Sequence, residues 1–298
     1  MSVMKSGTSW RWPTLAVVLA ITTTLFVPTL ATGLTGRDSA QPVKSSWNWD
    51  GPKPTIVLVH GAWADSSGWD GVIQYLQAKG FAVDAPPNPL EGLPSDSAFL
   101  ASYLKTITGA IVLVGHSYGG AVITNAAVGN PNVKALVYVD AFEPAKGETL
   151  EQLTFARPGS CLAGGGDLSN VFNFGVDPSL PSGDYDLYLK TAPGTDYPGF
   201  ADCFANDVPP SEAALFAVTQ RPLALDAFTA TNGTPAWRTI PSWAVIGTQD
   251  RAIPPAELTF MAQRAHSKIE YVKAGHLSMV AQPLDVADVI EEAARATS

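Results

Sequence analysis

The sequence predicts an α/β protein with a mostly parallel central sheet, helices on both faces and an inserted cap. Three observations carry this. Apolar runs of strand length alternate with helical stripes through residues 54–140 and again through 240–296. Such alternation is satisfied by a parallel sheet whose crossover helices cover both faces. One run, Ile111-Val112-Leu113-Val114, breaks at Gly115-His116-Ser117-Tyr118-Gly119-Gly120 into a small-residue segment that reads as a buried helix. Between Asp140 and Ile240 the alternation stops and Gly, Pro, Asp and aromatic residues dominate. A chain of 298 residues, 46% hydrophobic and 15% charged, is long enough for one large core. We take that domain as residues 41–298, with the cap at about 141–240.

The first segment stands outside it. Lys5 and Arg11 precede an uncharged stretch from Trp12 to Gly36 centred on Leu15–Ile21. A positive start, an apolar centre and small residues afterwards describe a secretory signal peptide over residues 1–40, cleaved within 31–40. The alternative is an uncleaved membrane anchor, since the stretch is long enough to span a bilayer. Pro13, Pro28, Gly33 and Thr22-Thr23-Thr24 make it less apolar than most anchors. The expectation is a secreted protein with no stable membrane partner once the signal is removed. The formal net charge is −9 without Lys/Arg clusters, which argues against nucleic acid and anionic membranes as partners. Cys161 and Cys203 match no zinc spacing and have no histidine between them, so no metal site is expected. In an exported chain two cysteines predict one disulfide; two free buried thiols are the alternative.

In chain order, residues 41–53 are a polar, Trp/Pro-containing linker. Thr55–Val59 is a buried strand ending at His60-Gly61-Ala62-Trp63. Trp69, Val72, Ile73 and Leu76 recur at helical spacing, with Ser66 or Ser67 as the cap. Gly80 closes that helix and Phe81-Ala82-Val83 opens a strand. Leu100, Tyr103, Leu104 and Ile107 mark a second helix before the Ile111 strand. Ala135–Val139 is the next strand. Ser211–Gln220, between Pro210 and Pro222, is the clearest helix of the insert. Trp243–Ile246 and Ile269–Val272 are strands around the stripe Leu258, Met261, Ala262 and Ala265. Val286, Val289, Ile290 and Ala293 give the last helix.

The chemistry follows from Gly115-His116-Ser117-Tyr118-Gly119. A strand–turn–helix with serine at the turn presents one hydroxyl at the sheet's edge, and glycines flank it because the turn leaves no room for β-carbons. A serine hydroxyl needs a base, and the base needs an orienting acid. Of the four histidines, His60 and His116 sit inside strand-end motifs and His266 at a polar helix end. His276 follows Ile269–Val272 in a short loop, where an imidazole can reach across to Ser117. Asp250, just past Trp243–Ile246 in Gly247-Thr248-Gln249-Asp250, is the candidate acid. Asp140, directly after Val139, is the rival acid; its other reading is an anchor for the cap's first turn. An oxyanion needs two backbone N–H donors. Tyr118 at a helix start is one, and Ala62 in the loop after the first strand is the other, with Trp63 as the next choice.

With these residues placed, the chain resembles the α/β-hydrolase superfamily over about residues 54–140 and 240–296. Within it the chain is similar to the capped methylesterase/hydroxynitrile lyase-like enzymes. The resemblance implies an enzyme that needs no cofactor and acts on a small-molecule ester. The order Ser117…Asp250…His276 is the one such enzymes have. The plant lyases of that group carry threonine where Gly61 stands and lysine where Leu277 stands, and both departures favour ester hydrolysis. Related dehalogenases and epoxide hydrolases carry aspartate where Ser117 stands, which excludes them. A cofactor-free perhydrolase, a lyase, or a binding protein on the same scaffold remain the alternatives. The apolar, aromatic cap points to small or medium hydrophobic esters. Oligomeric state has no signature in the sequence.

Overall fold

The computed structural model describes residue 49, residues 51–178 and residues 183–297. The expected signal segment, residues 1–40, lies outside the described residues. The chain runs through β1 (Thr55–Val59), a 3₁₀ turn at Ser66–Trp69, α1 (Asp70–Ala78), β2 (Val83–Asp84) and α2 (Leu93–Leu104). It continues with β3 (Ile111–His116), α3 (Tyr118–Ala126) and β4 (Val133–Val139). It then leaves the sheet for α4 (Leu150–Phe155), β5 (Phe172–Gly175), β6 (Asp186–Leu189), α5 (Phe200–Cys203), α6 (Pro210–Thr219), β7 (Leu223–Ala224) and α7 (Leu225–Thr229). It returns with β8 (Ser242–Gly247), α8 (Pro255–Ala265), β9 (Lys268–Val272), α9 (Ser278–Ala281) and α10 (Pro283–Ala296).

Six strands form one sheet in the order β2-β1-β3-β4-β8-β9, every pair parallel. β3 and β8 are buried along their whole length, as strands must be when covered on both faces, which is why they read as continuous apolar runs. The order reverses at β1, with β2 on one side and β3 on the other. The loops leaving β1 and β3 therefore emerge side by side, at the point where open α/β sheets bind their ligands. α10 places Val286, Ile290 and Ala293 in the core and packs on α1 and on β3, β4 and β8. α3 packs on β3, β1 and α2.

Local boundaries differ from the expected ones for identifiable reasons. Neither serine caps the first helix. Asp65 accepts from the Ser67 N–H at 2.8 Å and starts the 3₁₀ turn, and α1 begins only at Asp70. β2 holds just Val83 and Asp84, the two residues that pair with Ile56 and Val57. α2 stops at Leu104, because the Thr106 hydroxyl bonds back to the Tyr103 carbonyl at 2.7 Å and Gly109 turns at φ 90°. Ile107 still packs on the core from beyond the helix.

The segment between β4 and β8 carries a second, three-stranded antiparallel sheet, β5-β6-β7. Its alternation is real but short: Leu187 and Leu189 point inward while Tyr188 is exposed. Four-residue strands give too little period to register among so many glycines and prolines. Cys161 and Cys203 are joined in a disulfide with their Cα atoms 5.7 Å apart, tying the 3₁₀ turn at Cys161–Gly166 to α5. Closing a loop of this length restricts the unfolded chain by about 4 kcal/mol. Replacing both cysteines with serine is expected to lower the unfolding free energy by about that amount, with a steeper denaturant slope because the uncrosslinked unfolded chain exposes more surface. An unfolding free energy within about 1 kcal/mol of wild type would show that the crosslink contributes little.

Candidate active site

β3 delivers Ser117 at its carboxyl end. Ser117 holds φ 52°, ψ −122°, a left-handed conformation that costs a serine roughly 1–3 kcal/mol and turns the side chain away from α3. The turn closes because Gly119 has no side chain: a Cβ there would lie 2.5 Å from the Val59 carbonyl oxygen. The helix can therefore start against β1, and its first N–H groups face the serine.

The loops after β8 and β9 complete the arrangement. The Ser117 Oγ and His276 Nε2 lie 3.0 Å apart, and His276 Nδ1 lies 2.8 Å from Asp250 Oδ2. The other Asp250 oxygen accepts the N–H groups of Ala252 at 2.8 Å and Ile253 at 2.9 Å. These bonds lock the carboxylate's direction. Ser117, His276 and Asp250 are all buried. Burial lowers His276 to about 3, so its imidazole is neutral and able to accept a proton at neutral pH.

Asp140 is not bonded to the imidazole. It sits at φ 45° after β4, where Oδ1 accepts the Gly247 N–H at 2.6 Å and Oδ2 the Ser278 N–H at 3.2 Å. It thus ties the loop that carries Asp250 to the loop that carries His276. Burial, with the Asp250 charge beside it, holds the Asp140 carboxyl well above the usual carboxylate range. Burial pushes the Asp250 carboxyl up as well, against the two backbone donors that favour its ionised form.

The remaining histidines are structural. His60 Nδ1–H donates to the Gly61 carbonyl at 2.9 Å while Nε2 accepts the Asn88 N–H at 3.0 Å, and burial lowers it to about 4. His116 Nε2–H donates to the His276 carbonyl at 2.9 Å, supporting the histidine loop from below. His266 is exposed at the left-handed C-terminus of α8. Ala62, at 1% exposure, follows β1, and Tyr118 opens α3 with its hydroxyl on Asp96 at 2.7 Å. Among the described residues neither the Ala62 nor the Tyr118 N–H donates to a protein acceptor.

A family model described as "Alpha/beta hydrolase family" matches residues 56–289. The chain belongs to the alpha/beta hydrolase family. It is 36% identical over 111 residues to a carbendazim hydrolyzing esterase from Nocardioides sp. (strain SG-4G), covering 33% of this chain and 46% of that protein. It is 36% identical over 118 residues to a pyrethroid hydrolase from Sphingobium wenxiniae, covering 35% and 41%. The chain thus matches less than half the length of these curated relatives. Among solved structures, polyneuridine aldehyde esterase superposes with a TM-score of 0.67 at 19% identity, over 81% of this chain and 99% of that one. That likeness concerns the fold.

Beside the loop that carries His276 this alpha/beta hydrolase has a narrow, mostly apolar crevice lined by Trp63, Phe204, Phe216, Leu277 and Met279, with Asp65, Ser67 and Thr219 among its polar walls; Ser117 and His276 are not part of this lining. Trp63 is fixed by stacking on Phe172, with centroids 5.3 Å apart, and by its indole N–H on the Leu187 carbonyl at 2.8 Å. Phe204 lies edge-on to the His276 ring at 5.0 Å. These neighbours were not legible in the sequence, because Phe204 and Phe216 come from the inserted segment and nothing local marks which aromatic meets the histidine. Among the described residues no helix is long and apolar enough to cross a membrane.

Proposed function

We propose that this family member is a serine hydrolase that cleaves carboxylic esters of small to medium hydrophobic substrates through Ser117, His276 and Asp250. The observation that carries the reading is the unbroken chain of hydrogen bonds from Ser117 Oγ through the imidazole to Asp250. A neutral imidazole in that position takes the serine proton as Oγ attacks the acyl carbon, and Asp250 stabilises the imidazolium that results. The carbonyl oxygen becomes an oxyanion held by the N–H groups of Ala62 and Tyr118, the second reinforced by the positive end of α3. His276 then protonates the departing alkoxide. Water enters, gives its proton to His276 and hydrolyses the acyl-enzyme, restoring Ser117.

Residues 141–240 act in this reading as a cap. Phe204 and Phe216 come from it, and with Trp63 and Leu277 they give the crevice an apolar lining suited to hydrophobic groups. The named activities of the two curated relatives, an esterase and a pyrethroid hydrolase, support hydrolysis. The basic start and apolar centre of residues 1–40 support export, in which the disulfide would persist.

Hydrolysis of p-nitrophenyl esters of increasing acyl length by the oxidised protein tests the reading. The expected result is measurable turnover with kcat/KM highest at short to medium acyl chains. A folded enzyme that cleaves none of these esters overturns it.

A further inference from the structure

The turn that follows α5 touches both loops that carry the proposed triad. Asn206 donates its side-chain amide to the Gln249 carbonyl at 3.1 Å, one residue before Asp250. Asp207 Oδ2 accepts the Gly275 N–H at 2.6 Å, one residue before His276. The approach is close enough to require glycine: a Cβ at Gly275 would collide with the Asn206 side chain and lie 2.8 Å from Asp207 Oδ1. The turn is anchored in its own segment by the disulfide at Cys203 and by Phe204 against the imidazole. Asp207 Oδ1 is buried and has no hydrogen-bond partner. A carboxylate desolvated on one side and fixed beside a histidine is a poor choice for a plain tether, because burying an unpaired charged oxygen costs free energy. It suits a position where positive charge appears during the reaction.

We propose that Asp207 is a positioning residue for His276: bonded to Gly275, its carboxylate holds the histidine loop and stabilises the imidazolium formed when Ser117 attacks. This rests on the triad reading above and adds a group from the inserted segment to it. The groups that face the imidazole are Asp250 on Nδ1, Ser117 on Nε2, the neutral ring of His116 below and Asp207 beyond Gly275. Asp140 lies on the Ser278 N–H, past the histidine in the same loop. Of these, Asp250 and Asp207 are the carboxylates that favour the charged imidazole, and Asp207 raises the histidine's affinity for a proton against the burial that lowers it. Because Asp207 belongs to the segment that lines the crevice, a shift of that segment on a substrate moves a charge relative to the base.

The test separates charge from tether. Asp207→Asn keeps an oxygen for the Gly275 N–H and removes the charge; Asp207→Ser is carried beside it as a second charge-free variant, and Asp207→Glu restores the charge. Each is measured for kcat and KM on a p-nitrophenyl ester. Each is also treated with an aryl trifluoromethyl ketone, whose carbonyl carbon is attacked by Ser117 Oγ while the hydroxyl proton passes to His276 Nε2. The downfield proton resonance of the imidazolium in that adduct, followed against pH, gives its pKa. The expected result is a kcat about tenfold lower in the two charge-free variants with KM within about twofold. Their adduct imidazolium pKa should fall by about one unit, as expected for loss of a nearby opposite charge, and Asp207→Glu should return it toward wild type. A folded charge-free variant with the wild-type adduct pKa overturns the proposal, even if kcat falls, because a tether alone would leave that value unmoved. Adduct formation by wild type and not by Ser117→Ala establishes the triad separately, so failure at Asp207 then counts against Asp207 alone. A Ser117→Ala enzyme with wild-type activity overturns both.

Discussion

Ser117→Ala is expected to lower kcat for ester hydrolysis by about 10⁵- to 10⁶-fold, and His276→Ala by a similar factor. The double variant should be scarcely worse than either single one. Nucleophile and base act as one unit: without the imidazole the hydroxyl keeps its proton, and without the hydroxyl the imidazole has nothing to activate. Alanine retains the β-carbon of serine, so the strained turn at φ 52° carries about the same cost in both proteins, and Ser117→Ala should fold normally. Steady-state turnover of a p-nitrophenyl ester, with circular dichroism confirming the fold, reads the result. Residual activity within tenfold of wild type in folded Ser117→Ala would mean that another group attacks the ester.

The two buried acids should separate sharply. Asp250→Asn is expected to lower kcat about 10⁴-fold, because an amide facing Nδ1 no longer fixes the productive tautomer or offsets the imidazolium charge. The bonds from Ala252 and Ile253 reach the other oxygen and can persist, so the loss should appear in kcat with little change in melting temperature. Asp140→Asn should stay within about tenfold of wild type, since asparagine has nearly the shape of the neutral carboxyl that burial favours there. Its effect belongs in stability: one of its two bonds, to Gly247 or Ser278, meets an NH₂ group where an oxygen stood. A lost bond to a buried N–H costs roughly 1–3 kcal/mol, readable in the denaturant midpoint. The reverse pattern, with Asp140→Asn inactive and Asp250→Asn active, would assign the acid to the strand end after β4.

The placement of both acids shows how far a sequence reaches. Strands such as Thr55–Val59 and Ile111–His116 were legible because burial on both faces of a parallel sheet demands uninterrupted apolar, β-branched runs. The Gly-x-Ser-x-Gly turn was legible because its backbone is too crowded for other residues, so the strained turn at Ser117 leaves a local mark. That Ser117, Asp140, Asp250 and His276 each lie just past a strand followed from the same alternation. These are short-range constraints, written where they act.

What only the tertiary structure decided depends on segments distant in the chain. Asp140 and Asp250 each follow a strand, and no local pattern says which reaches His276; the parallel pairing of β4 with β8 and β8 with β9 puts Asp140 under two backbone amides and Asp250 on the imidazole. The pairing of Cys161 with Cys203 and the small sheet β5-β6-β7 needed the insert's own folding. Asp207 left no trace at all, because a carboxylate in a Gly/Pro-rich turn looks the same whether it meets solvent or a backbone amide 68 residues away. Sequence determined the fold and the candidate residues for the proposed chemistry, since backbone sterics and burial act on neighbours. Structure decided which charges face the histidine, since electrostatics acts through space.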